Sequence, residues 1–217
     1  GDRQLHQACQ APPEPARTET QRLVDLAEQR IQAGNQPAAW TMYRRAAELA
    51  LRTQQPDEHE RILRRASEAC YDLPDPQAAL ADLLLARRQH EPALNAYRRA
   101  LALQPNHAPS LIGQARIAIH RNEFDSALVI LRQAAAADEQ SADARWELAR
   151  LFDQHMELPE PAARSYREFA RLFPNDPRAT QATSRAQALT PPALPQRIAP
   201  PPPPPSPTLP TAPHHTP

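Results

Sequence analysis

The sequence predicts an all-α protein in which successive helices pack as antiparallel pairs. Hydrophobic residues make up 41% of the chain and are mostly Ala and Leu, while aromatic residues make up only 5%. This composition favours closely packed helices over a sheet core. No run alternates apolar and polar residues as strands do. Between residues 18 and 189, helical segments alternate with short breaks that carry Pro, Asn or Asp.

The breaks divide this region into ten predicted helices. Proline stands just after one helix or in the first turn of the next, where it removes no intrahelical hydrogen bond. Asn, Asp and Ser beside it are suitable N-caps. Because the connections are short, neighbouring helices should be antiparallel. The breaks lie at residues 33–37, 53–57, 72–76, 89–92, 104–109, 120–124, 138–143, 157–161 and 173–177.

The two ends of the chain differ in composition from this helical domain. Residues 1–17 are polar and contain prolines, so they are predicted to be a flexible lead-in. Residues 191–217 hold 13 of the 27 prolines, six of them consecutive from Pro200 to Pro205. Such a segment samples polyproline II and forms neither helix nor sheet. We therefore predict a disordered proline-rich tail over residues 190–217.

One pattern of small and aromatic residues returns at a nearly constant interval along the chain. Its clearest copy is Ala93, Tyr97, Ala100 and Pro105. Alanine allows two helices to approach closely, the ring one turn later fills the gap to the next helix pair, and proline ends the helix. The other copies are Ala39, Tyr43 and Ala46; Ala127, Leu131, Ala134 and Glu139; and Ala162, Tyr166, Phe169 and Pro174.

This pattern resembles the tetratricopeptide repeat, a helix–turn–helix unit of about 34 residues. The resemblance implies a right-handed α-solenoid of antiparallel helix pairs. It depends on the spacing and on the terminal prolines, although Gln77 replaces a bulky residue and Arg150 takes a position expected to be small. The expected units are residues 20–53, 74–107, 108–141 and 143–176, with an extra helix at about 57–71 and a capping helix at about 177–189.

The resemblance also implies where a partner would bind. In this family the first helices of the repeats line a concave groove that usually holds a peptide or another protein. Core packing remains an alternative for Ile112, Ile119 and Leu151, as does internal pairing for Arg116. The residues expected to face the groove are Glu28, Asp82, Leu85, Ile112, Arg116, Ile119, His120, Glu147, Leu151, Gln154 and His155.

Composition argues against several other functions. The formal net charge is zero, whereas nucleic-acid binding requires a clustered positive excess. The sequence has no lysine and only three glycines, so it offers neither a Schiff-base lysine nor a phosphate-binding loop. Cys9 and Cys70 have neither disulfide-framework nor zinc-site spacing. We expect no catalytic residue, metal, cofactor or membrane span.

The sequence thus predicts a non-catalytic scaffold that binds another protein or a peptide; it does not indicate an oligomeric state. Two alternatives remain: an accessory factor of a bacterial cell-envelope machine, such as a pilus, secretion or exopolysaccharide system, and a regulatory domain of a larger enzyme. The ending YREFARLFPNDPRATQA is similar to final repeats of envelope and assembly factors. That similarity favours a periplasmic or envelope-associated location over a cytoplasmic one.

Overall fold

The computed structural model describes residues 14–190, and this part of the chain forms ten α-helices and no strand. The predicted all-α fold is confirmed. Helix α1 begins at Glu14, so the last residues of the expected lead-in are helical. The remainder of the lead-in and all of the predicted tail after Thr190, residues 191–217, lie outside the described residues. The helices are α1 (Glu14–Gln32), α2 (Gln36–Arg52), α3 (Pro56–Ala69), α4 (Pro74–Ala86), α5 (His90–Leu103), α6 (Ala108–His120), α7 (Phe124–Ala137), α8 (Ala142–Arg150), α9 (Pro159–Leu172) and α10 (Ala179–Ala188).

Prolines and polar caps set the helix starts, as the sequence predicts. Proline occupies the first turn of α2, α3, α4, α6 and α9. The Asn35 side chain accepts a hydrogen bond from the Ala38 N–H, and the Ser141 side chain accepts one from the Ala144 N–H. These caps satisfy amide groups that have no partner inside the helix.

Each turn within a helix pair contains one residue in the left-handed backbone conformation. Gly34, Arg88, Asn122 and Glu157 have φ of 71°, 60°, 60° and 53°, and Gln54 between α2 and α3 has φ of 57°. The expected extra helix is α3. Since the α2–α3 turn has this same form, α2 is the second helix of one pair and the first helix of the next.

Hydrogen bonds across these turns also show that α2 and α3 form a helix pair like the later ones. The N–H groups of Gln55, Gln89 and Glu123 donate to carbonyl groups five positions earlier, at 2.9 Å each. The three donors follow one another at intervals of one repeat length. The pair α2–α3 therefore follows the same spacing as α4–α5 and α6–α7. Helices α1, α2 and α3 share one buried cluster that includes Ala27 and Tyr43.

The small residues lie at the helix contacts for which they were predicted. Ala93, Ala127 and Ala162 on second helices are fully buried, and so are Ala81 and Ala115 on first helices. No longer side chain fits where two helices approach this closely. Packing at these positions joins each antiparallel pair.

The fourth pair corrects one expectation. Ala149, which lies one repeat length after Ala115, is fully buried, whereas Arg150 is partly exposed. Arg150 therefore does not take the small position. One extra residue enters afterwards, in a π-helical turn over Leu151–His155 in which the Met156 N–H donates to the Leu151 carbonyl. This insertion explains why the interval between the second-helix alanines is one residue longer in the last repeat than in the repeat before it.

Candidate binding groove

The first helices of three successive pairs line a groove of about 660 Å³, here called the central groove. Helices α4, α6 and α8 supply most of its lining, and the π-turn contributes Leu151 and His155. Since a solenoid repeats its geometry, equivalent residues of successive first helices face the same side. Asp82, Arg116 and Arg150 are such a set, each one repeat length after the last. The lining residues are Asp82, Leu85, Ala86, Arg116, Ile119, His120, Asn122, Glu147, Arg150, Leu151 and His155.

A buried carboxylate organises the charged side of the central groove. The Glu147 side chain is largely buried and accepts hydrogen bonds from Arg116 Nε at 2.9 Å and Arg150 Nη1 at 3.4 Å. Arg150 also donates to the Gln154 side-chain oxygen. The two guanidinium groups remain partly exposed, so this arrangement holds two cations in fixed positions at the groove surface.

Asp82 faces the groove from α4 and accepts a hydrogen bond from the Tyr97 hydroxyl of α5. Asp82 keeps contact with solvent, but the concave walls desolvate its carboxyl and raise its pKa. The Tyr97 bond and the Arg116 charge act in the opposite direction. Burial also raises the pKa of Tyr97, so its hydroxyl stays protonated and can donate.

Two histidines have rings held by neighbouring aromatic groups. The His120 ring lies 5.1 Å from the ring of His90, and the His155 ring stacks on Phe124 at 5.5 Å with an interplanar angle of 29°. Ile119 adds partly buried apolar surface between the polar groups. The central groove therefore combines fixed hydrogen-bonding groups with apolar contact area.

Eight of the eleven residues expected at the groove line it together. The other three lie elsewhere. Glu28 faces a separate hollow beside Tyr43 and pairs with Arg65 at 2.7 Å. Ile112 is buried in the core, and Gln154 lines the next hollow towards α10.

Leu151 borders the central groove but is 0% exposed. Its side chain thus packs in the core and offers little surface to a partner.

Sequence reasoning did not assign Arg150 and Asn122 to the groove. The repeat spacing could have placed Arg150 at the groove, because Arg150 lies one repeat length after Arg116. Asn122 occupies the left-handed turn after α6, a position that asparagine tolerates better than most residues. The position of Asn122 at the groove depends on the conformation of the turn, which the repeat spacing alone does not give.

Within residues 14–190, no three His, Cys, Asp or Glu side chains are grouped so as to hold a metal ion. No helix of this described range combines the length and apolar character required to cross a bilayer. The central groove offers hydrogen-bonding groups in fixed positions beside apolar surface.

The fold and groove define a helical-repeat scaffold, and the comparisons with known proteins show which repeat it resembles. Residues 84–151 match the family model described as tetratricopeptide repeat. Solved structures of proteins with this repeat align over most of the chain. Residues 84–151 therefore match tetratricopeptide repeats, and the chain shares the fold of proteins built from this repeat. No curated protein matches the chain significantly.

Three solved structures illustrate the shared fold. TTC0263, a thermophilic TPR protein of Thermus thermophilus, is 19% identical with a TM-score of 0.57, and the alignment covers 78% of this chain and 98% of that one. Yeast Tom70 is 20% identical with a TM-score of 0.58, covering 80% of this chain and 40% of its own. YrrB, described as a TPR protein with an unusual peptide-binding site, is 17% identical with a TM-score of 0.53, covering 79% and 95%.

Proposed function

We propose that the protein is a non-catalytic scaffold that binds a segment of another protein in the central groove. The family is generally non-catalytic, and its members bind proteins or peptides. The observation that carries the proposal is the Arg116–Glu147–Arg150 arrangement on the wall of a groove built by three successive helix pairs. Groups fixed before binding lose less conformational entropy when a partner arrives.

The mixed surface favours a segment with both apolar and polar side chains. Leu85 and Ile119 would contact the apolar part, while Arg116 and Arg150 would donate hydrogen bonds to acceptors on the segment. YrrB, which shares the fold, is described as having a peptide-binding site. That description supports a peptide-like ligand for this chain.

The test is site-specific photo-crosslinking of the full chain in native cell extract. A photoreactive phenylalanine analogue at Ile119, inside the groove, should yield a crosslinked partner. The same analogue at Val129, which is 65% exposed on α7, provides the matched control and should not. Mass spectrometry of the crosslinked species then identifies the bound segment.

Charge removal supplies the second arm. Arg116→Gln combined with His120→Ala should abolish the crosslink from Ile119. Helicity should stay unchanged, because the glutamine amide can still donate to the Glu147 carboxylate and His120 is exposed. Arg132→Gln, on the exposed face of α7, should leave the crosslink intact. Partner capture that survives the groove variant but is lost with Arg132→Gln would place binding on the other side and overturn the proposal.

A further inference from the structure

Three helix pairs place a tyrosine of the second helix beside a carboxylate of the first helix or of the π-turn that continues it. In the first of these pairs, α1–α2, the acid and the tyrosine stand at the same interval as in α4–α5. In α8–α9 the acid lies in the π-turn. The three sets are Glu28 with Tyr43, Asp82 with Tyr97, and Asp153 with Tyr166.

At both ends of the helical array, an arginine from the next helix pairs with the carboxylate. Arg65 of α3 lies 2.7 Å from Glu28. Arg185 of α10 donates through Nε and Nη2 to both oxygens of Asp153, at 2.8 Å each. The Tyr166 hydroxyl donates to the same carboxylate at 3.2 Å. The chain itself thus places a guanidinium beside each of these two acids.

The middle carboxylate, Asp82, lacks such a partner. Arg116 of α6 is the arginine in the corresponding place, but its Nε and Nη2 lie 2.9 Å and 2.8 Å from Oε1 of Glu147 on α8. Among residues 14–190, Asp82 forms no ion pair, and its side chain accepts one hydrogen bond, from the Tyr97 hydroxyl to Oδ1. Asp82 keeps contact with solvent, so a ligand in the central groove can reach its carboxylate.

The pKa values of the two aspartates differ in the direction that this pairing requires. Arg185 lowers the pKa of Asp153. Desolvation raises the pKa of Asp82, and the Tyr97 hydrogen bond and the charge of Arg116 do not fully offset it. The charge of Arg116 is balanced by the Glu147 carboxylate that it contacts. A further cation beside Asp82 would therefore stabilise the ionised carboxylate, as Arg185 stabilises Asp153.

We propose that Asp82, held by Tyr97, is a subsite for an arginine side chain of the segment bound in the central groove. This inference rests on the function proposed for that groove. A guanidinium can donate two parallel hydrogen bonds to a carboxylate, which is the arrangement that Arg185 and Asp153 already form within the chain. Leu85, one turn after Asp82 on α4, offers apolar surface to the aliphatic part of the arginine.

The test is an NMR titration of the full chain with two defined probes. N-acetyl-leucyl-argininamide should shift the signals of Asp82, Leu85 and Ile119 in a saturable manner. The same probe with citrulline in place of arginine keeps the shape and loses the charge. Its affinity should fall about fivefold, the effect of an ion pair that keeps contact with solvent.

Two matched substitutions assign the effect to Asp82. Asp82→Asn retains an oxygen that accepts the Tyr97 hydrogen bond, and it should lower the affinity of the arginyl probe to that of the citrullinyl probe. Asp125→Asn, which changes an exposed acid on α7, should leave the fivefold difference intact. Equal affinity of the two probes for the unchanged chain would overturn the inference, as would a difference that survives Asp82→Asn.

The crosslink from Ile119 separates this inference from the proposed function. A crosslinked segment found together with equal probe affinities would refute the arginine subsite and leave the groove function standing. A missing crosslink would refute the groove function itself. If both proposals hold, the crosslinked segment contains an arginine whose replacement by glutamine weakens its binding to the unchanged chain but not to Asp82→Asn.

Discussion

Replacing Gly113 by alanine should destabilise the protein even though alanine is the better helix former. Gly113 lies inside α6, where a Gly→Ala change alone would gain about 1 kcal/mol. A Cβ atom at this position, however, would overlap the ring of Tyr97 from the preceding helix pair. Overpacking a close contact costs about 1–3 kcal/mol.

The Tyr97 ring has little freedom to move away. It is 0% exposed, and its hydroxyl is bonded to Asp82. We therefore expect the overlap to outweigh the helix gain, with a net loss of up to about 2 kcal/mol in the free energy of unfolding. Urea denaturation followed by circular dichroism measures this loss as a lower midpoint at an unchanged slope.

The next repeat suggests the compensating change. One repeat length later, Leu131 stands at the position of Tyr97 and Glu147 at the position of Gly113. In that repeat the first helix carries a side chain instead of glycine, and the residue at the tyrosine position is the smaller leucine. In the Gly113→Ala background, Tyr97→Leu should cost less than it does alone, with a coupling energy of about 1 kcal/mol or more. If Gly113→Ala is as stable as the parent, or the two changes are additive, the packing argument is refuted.

Two further predictions concern the core and an ion pair. Ala127→Leu should destabilise the fold by about 1–3 kcal/mol, because Ala127 is 0% exposed at a helix contact; an unchanged melting temperature would contradict this. Hydrogen bonds from Arg178 lower the pKa of Asp176 from 3.8 to about 2, so the ionised carboxylate stabilises the fold above pH 3.8, and this contribution is lost as the pH falls towards 2. Asp176→Asn should therefore cost about 1–2 kcal/mol at neutral pH and flatten the acid limb of the stability curve, as measured by denaturation at several pH values.

The helix order could be predicted because each boundary is encoded locally. Proline and capping residues act within one turn, and alanine periodicity marks the buried face of each helix. Part of the groove lining was predictable for the same reason, since a fixed spacing brings Asp82 and Arg116 to one side. None of these inferences requires knowledge of distant contacts.

The remaining details depend on contacts between separate segments. A single inserted residue can enter anywhere between Ala127 and Ala162, and only the structure shows that it forms the π-turn after Arg150. The pairing of Arg116 with Glu147 likewise joins two helices. The close contact between Gly113 and Tyr97 could not be predicted from the neighbouring sequence, because a glycine inside a helix can be present for several different reasons.

The buried side chains of the described residues divide into three clusters, and this division affects how the solenoid opens. Trp40 packs against the first cluster, and Trp146 belongs to the third; they are the only two tryptophans of the sequence. Intrinsic fluorescence therefore reports the two ends of the helical array separately once each tryptophan is replaced in turn by phenylalanine. In a repeat array each unit contacts only its neighbours. If the two tryptophans report the same unfolding transition, the repeats between them unfold together; if they report separate transitions, the two ends unfold independently.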